Sequence, residues 1–181
     1  MANQEHIDLV REGADALNEW QAEHPGEPLA LRGAALGGGQ FEDADLEGAD
    51  LEEALLDDAV LAQANLRGAC LCGASLAGAD MRRVDLDGAD LRNANLRGTN
   101  LRSADLRHAD LRGANLEGAD LRQADLRAAR LAGAEFQSAD LEAAQLEGMD
   151  VRDAALRGAR LHGARLKGAT FAGMDLHGAN L

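Results

Sequence analysis

From Leu31 to Leu181 every fifth residue is a large apolar side chain, with no insertion and no skipped beat. The series runs Leu31, Leu36, Phe41, Leu46 and Leu51, then onward through Met81, Phe136, Val151 and Phe171. Two places before each sits a small residue, nearly always Ala, as at Ala44, Ala49, Ala54, Ala59 and Ala64. Few folds can accept such a register.

A period of five suits neither regular element. Five residues advance a helix by about 500°, so successive apolar positions never line up as one stripe. In an unbroken strand five is odd, and successive apolar residues would face opposite ways. The chain must therefore turn once per repeat. With i as the central apolar position, i−2 and i share a side while i−1 points away, which describes a very short strand with its apolar face inward. The corner is legible at i+2, which is Gly in 17 of the 30 complete repeats. Glycine tolerates the positive φ that a tight corner needs. Short strand and corner in strict alternation wind a chain into a solenoid with a continuous buried column.

The residues leave the number of sides per coil open. The repeated A-D/N-L-x-x, as in Ala104-Asp105-Leu106-Arg107-His108 and Ala114-Asn115-Leu116-Glu117-Gly118, resembles the pentapeptide-repeat family over residues 29–181. The resemblance implies an all-β solenoid: a right-handed, four-sided (quadrilateral) parallel β-helix of about twenty residues per coil. The thirty-one repeats then make nearly eight coils, a rod about 37 Å long at roughly 4.8 Å per coil. A charge at Leu106 is expected to collapse the rod, and one at Arg107 to be tolerated. Val151 is small for a central position and follows the large Met149 at i−2, a volume exchange within one layer. Val84, Thr99 and Met174 also replace the usual Ala, without an obvious partner.

Residues 1–28 read as a separate capping helix and linker. Ile7, Val10, Ala14, Leu17 and Trp20 follow helical spacing, Asn3 is a candidate N-cap, and Pro25-Gly26-Glu27-Pro28 stops the helix. An open first coil would expose apolar core and unpaired backbone, so the helix is expected to cover it, with Trp20 in the packed face. A partner-binding helix is the other reading. At the far end the repeat runs to Leu181 with no covering segment, and a homodimer through the uncapped C-terminal coil is expected, as in some family members; a fragment is the alternative.

The net charge is −14, and its placement is uneven. Residues 1–60 hold 16 acidic and 2 basic side chains, while residues 61–181 hold 16 of each. Between Phe41 and Asp58 lie Glu42, Asp43, Asp45, Glu47, Asp50, Glu52, Glu53, Asp57 and Asp58 with no cation among them, a candidate partner contact with Leu55 and Val60. Further along, Arg82, Arg92, Arg97, Arg102, Arg107, Arg112, Arg122 and Arg127 occupy i+1 beside Asp or Asn at i−1. In a four-sided coil Arg82, Arg102 and Arg122 would stack as a surface ladder, either exposed ion pairs of little energetic worth or a surface for an acidic partner. The stretch Ala59–Ala79 carries only Arg67 as a charge and sets Val60, Ala62, Cys70, Cys72 and Ala77 outward, an apolar belt.

Chemistry is harder to find. Cys70 and Cys72 flank Leu71 and both point outward, but two thiols are too few for a structural zinc site, which wants four ligands. His6, His24, His108, His162 and His177 share no spacing that would assemble a base or metal site, and Tyr is absent. No phosphate-binding glycine loop occurs. The chain is expected to be no enzyme and to hold no cofactor or metal. Direct nucleic-acid binding is not expected of an acidic chain with few aromatics. With no signal peptide or membrane span, the cytoplasm is the expected compartment.

Two functions follow. One is a rigid, non-enzymatic scaffold that presents side-chain ladders to a protein partner. The other comes from the resemblance: the family includes DNA-mimicking proteins that engage DNA gyrase and modulate quinolone sensitivity. The acidic total fits mimicry, whereas the neutral balance of residues 61–181 does not.

Overall fold

The computed structural model describes residues 2–148 and 154–170. Its repeat unit is set by pairing: every β-bridge joins residues twenty apart and is parallel, from Ala30 with Asp50 to Gln145 with Arg165. Bridges recur every five residues, so twenty residues make one coil of four sides. The sides are named here after their first central residues: Leu31, Leu36, Phe41 and Leu46. Each side contributes a single bridged residue at i−1 rather than an extended strand. With two of five residues spent on a corner, little extended chain remains.

Burial follows the period. Central residues from Leu31 to Leu146, with Leu156 and Leu161, lie inside, as do the Ala residues two places before them. Every described corner from Gly33 onward has positive φ, including twelve non-glycine residues such as Asp43, His108, Ala128 and Ala143. Phe41 shows why one i−2 position is not Ala: a Cβ on Gly39 would stand 2.2 Å from the Phe41 ring and 2.9 Å from the Leu36 carbonyl oxygen. Thr99, fully buried in an Ala slot, finds the partner that the sequence did not reveal, its hydroxyl donating to the Leu96 carbonyl. The Met149–Val151 exchange, Met174 and the final coil lie outside the described residues.

One repeat accounts for all its amides. Around Leu51, Asp50 N–H donates back to Leu29 O at 2.8 Å, while Leu51 and Glu53 donate forward to Cys70 O and Cys72 O at 2.8 and 3.0 Å. Ala54 N–H closes the corner onto Leu51 O at 3.0 Å. Only the i+1 amide lacks a backbone acceptor, and Asp50 Oδ1 takes it at 3.2 Å. The same bond recurs from Asp45 to Asp140, and Asn65, Asn95, Asn100 and Asn115 supply it equally. The Asp/Asn preference at i−1 therefore answers an orphan donor.

The expected single N-terminal helix is two. Asn3 does cap α1 (Gln4–Glu12), its side chain accepting Glu5 N–H at 3.0 Å. Gly13, at φ 107° and ψ −176°, then breaks the chain before α2 (Ala14–Glu23), because a helix cannot pass through that conformation. Val10 and Leu17 join the core, and Trp20, half-buried, sits between His6 and His24. Polar side chains of these helices meet the first coil where a preceding coil would otherwise pair. His6 Nδ1 accepts Ala30 N–H at 2.8 Å, Asn18 Oδ1 accepts Asp45 N–H at 2.6 Å, and Asn18 Nδ2 donates to Asp43 O at 3.1 Å. Neither residue stood out in the sequence, where nothing marks which amides an edge leaves unpaired.

Candidate interaction surfaces

Twenty residues per coil redistributes the segments that look contiguous in sequence. The acidic stretch from Phe41 to Asp58 spans nearly one full coil, so its carboxylates form a ring rather than a patch. Glu42 and Asp43 follow the Phe41 side, Asp45 and Glu47 the Leu46 side, Asp50, Glu52 and Glu53 the Leu31 side, and Asp57 and Asp58 the Leu36 side. Several are already engaged. Asp45 and Asp50 accept backbone amides, and Glu52 is forked by Arg32 at 2.6 and 2.8 Å. Asp57 accepts the Ser75 hydroxyl at 2.6 Å and the Ala77 amide at 2.9 Å, replacing the short Ser75 as that corner's acceptor. The apolar belt wraps in the same way: Leu55, 51% exposed, lies on the Leu36 side, and Val60, half-buried, on the Phe41 side.

The arginine ladder keeps its register. Bridges join Asp80 to Asn100 and Asn100 to Asp120, which sets Arg82, Arg102 and Arg122 one above another on the Phe41 side. The three are not equivalent. Arg82 binds Asp80 with Nε and Nη2 at 2.8 and 2.6 Å, and Arg122 binds Asp120 at 2.8 and 2.5 Å. These hydrogen bonds hold the Asp80 and Asp120 carboxyls below the usual carboxylate range, against the opposing effect of partial burial. Arg102 stands beside Asn100 instead, which accepts its amide at 3.3 Å but cannot neutralise its guanidinium. Arg83, at the corner, is also exposed, and among the described residues neither has a carboxylate within ion-pair reach.

These side chains border a shallow groove of about 390 Å³, lined by Arg82, Arg83, Arg102, Gln63, Ser103 and Gln123 together with Glu42 and Ala62. It offers two uncompensated guanidinium groups and amide donors, a setting for carboxylate or phosphate oxygens. Histidine does not line it, so Ser103 has no imidazole base there. The Cys72 thiol is pushed up by burial, with Asp90 adding to the effect, which disfavours a thiolate nucleophile. Among the described residues no helix is long and apolar enough to cross a membrane.

A family model for pentapeptide repeats matches in 8 copies, over residues 40–78, 79–118, 109–148 and 144–181. A trypsin-treated variant of QnrB1, a plasmid-mediated fluoroquinolone resistance protein, is similar with a TM-score of 0.76 at 25% identity, over 83% of this chain and 78% of that one. A second trypsin-treated QnrB1 variant gives 0.77 at 25% identity, over 83% and 76%. HetL, a pentapeptide-repeat protein involved in heterocyst differentiation regulation from the cyanobacterium Nostoc, shares 38% identity over 82% of this chain and 73% of that one, with a TM-score of 0.46. No curated protein matches.

Proposed function

Because this chain belongs to the pentapeptide-repeat family, whose fold is the right-handed quadrilateral β-helix, we propose that it is a non-enzymatic scaffold whose Phe41 side receives an acidic segment of a protein partner. The observation that carries this reading is the unpaired Arg83 and Arg102, set in a groove beside arginines whose charge is already matched. An exposed ion pair gains little from a new partner because its own contact must be broken. An unmatched guanidinium on a rigid backbone has no such debt, and its approach to a carboxylate costs little reorganisation.

The rest of the molecule fits a presenting role. The helices α1 and α2 cover the first coil, and we propose that two copies pair as a cytoplasmic homodimer, which would place two grooves on one particle; the C-terminal coil to which that pairing is assigned lies outside the described residues. Light scattering at micromolar concentration tests the dimer, and a monomer removes it. The scaffold is tested by affinity capture with the wild-type chain beside the Arg83→Glu/Arg102→Glu variant. Partners that bind the wild type in low salt and are lost from the variant support the groove; identical partner sets for both proteins refute it.

A second reading is DNA mimicry toward gyrase, favoured by the likeness to QnrB1 over 83% of the chain. A supercoiling assay with this protein titrated in, with and without a fluoroquinolone, separates the two. Inhibition or drug rescue at low micromolar protein supports mimicry, and no effect leaves the scaffold.

A further inference from the structure

The coil geometry brings together a second set of side chains, on the Leu31 side. Asp50 and Glu52 are the outward residues of one coil, and Cys70 and Cys72 occupy the same two positions on the next. The Asp50–Cys70 bridge, with Leu51 N–H to Cys70 O at 2.8 Å and Glu53 N–H to Cys72 O at 3.0 Å, fixes the two coils in register. Ligand atoms of Asp50, Glu52 and Cys70 already lie within 4.8 Å of one another. Cys72 holds the fourth corner by register, with its sulfur outside that group of three, so a rotation of its side chain must bring it in. Where this pair of outward positions holds Asp and Arg, as in Asp90–Arg92 on the following coil, the two side chains meet at 2.6–2.8 Å. Side chains at i−1 and i+1 of one repeat therefore lean to the same side of the coil.

We infer that Asp50, Glu52, Cys70 and Cys72 form a binding site for a thiophilic divalent cation of the zinc or cadmium kind. Two thiolates and two carboxylate oxygens give four donors, the number a tetrahedral site requires. Counting thiols along the sequence misses this, because the carboxylates lie twenty residues earlier. The supporting groups are also present. Arg32 grips Glu52 from the preceding coil with Nη1 and Nη2, and Asp50 is steadied by the Glu52 amide at its Oδ1. Such outer contacts orient ligating carboxylates. Arg32 below places positive charge beside an ion carrying four anionic ligands, while Arg92 above is matched by Asp90. On binding, each thiol loses its proton to solvent and its sulfur lone pair forms a metal–sulfur bond, so two protons leave per ion and apparent affinity rises with pH.

The test is titration of the reduced full-length chain with Cd²⁺, followed by thiolate-to-metal charge-transfer absorption, with Zn²⁺ as competitor. One saturable ion per chain is expected, with the band lost in Cys70→Ser and in Cys72→Ser. Asp50→Asn and Glu52→Gln should each weaken binding at least tenfold, and Asp105→Asn, on the Leu46 side, should change it less than twofold. All these residues point outward, so unchanged circular dichroism identifies a folded variant. The absence of a saturable band in the wild type overturns the site. So does a band whose affinity ignores both carboxylate substitutions, since that is a two-thiol chelate alone.

Discussion

Replacing Asp105 separates the two tasks that an i−1 carboxylate performs. On the Leu46 side, away from both proposed sites, Asp105 Oδ1 accepts the Arg107 amide at 3.1 Å. Its two oxygens also hold Arg107 Nε at 2.8 and 3.0 Å and Nη2 at 2.5 Å. The pair is partly open to solvent, with 29% and 37% of the two side chains exposed, so the ion pair is worth at most about 1 kcal/mol. The amide hydrogen bond contributes about 0.5–1.5 kcal/mol, and without it that donor has no backbone alternative. Asp105→Asn keeps the acceptor and loses the charge, so it should cost no more than about 1 kcal/mol. Asp105→Ala loses both and should cost about 0.5–2.5 kcal/mol. At about 2–4 °C per kcal/mol for a chain of this size, Ala should melt about 1–6 °C below Asn. The measurement is a pair of thermal melts by circular dichroism, repeated in 1 M salt. Screening should shrink the Asn effect and leave the Ala–Asn gap. Equal melting temperatures for the two variants would refute the reasoning, because they would show the orphan amide to be satisfied by water.

Three further outcomes are expected. Ala143→Gly should stabilise the chain by up to about 1.5 kcal/mol, since φ of 59° costs Ala about 1–2 kcal/mol and Gly returns only part of it; Gly118→Ala, whose new Cβ meets nothing within 4 Å, should lose a similar amount, both read from melting temperature. Gly39→Ala should destabilise by about 1–3 kcal/mol through the Phe41 ring, and Phe41→Leu in the same chain should recover part of that loss in urea titrations. Asp90, Asp110 and Asp120 hold carboxyls depressed chiefly by hydrogen bonds from Arg92, Arg112 and Arg122. Their contribution is complete above the unfolded value of about 4 and disappears as pH falls through the lower folded values, so melting temperature should decline below about pH 4 and less steeply in Arg112→Gln.

The core was readable because it depends on one side-chain property repeated at one interval. Leu106 must be buried and Arg107 must not, whatever the number of sides, and both positions follow from the period. The corners were readable for the same reason, since Gly at i+2 reports a backbone conformation directly. The second period, of twenty, came only through the family resemblance, which gave the Arg82–Arg102–Arg122 column but left other neighbours across coils unread. Asp45 and Asp58 fall in one run of acids yet belong to different sides, so the apparent patch opened into a ring. Asp50 and Cys70 are far apart in sequence yet adjacent in space, so the candidate cation ligands looked incomplete. His6 and Asn18 were illegible on other grounds: their partners are amides of a coil edge, and an edge has no residue signature. Gly13 could have been read as a helix break, but the apolar spacing continued across it in phase and concealed the interruption.

The twenty-residue pairing has a consequence for how such a chain can change length. A deletion of five residues within the rod would leave the Leu column seamless and every corner in place, so the shortened chain would still fold. Yet each residue beyond the cut would rotate a quarter-turn around the axis. Removed between Arg82 and Arg102, five residues would send Arg102 and Arg122 to a neighbouring wall and divide the groove. Removal of twenty would shorten the particle and restore every column above the gap to its own wall. Integrity of the fold is thus indifferent to length in steps of five, while the pattern it displays survives only steps of twenty. Lineages in which the displayed pattern matters should gain and lose whole coils.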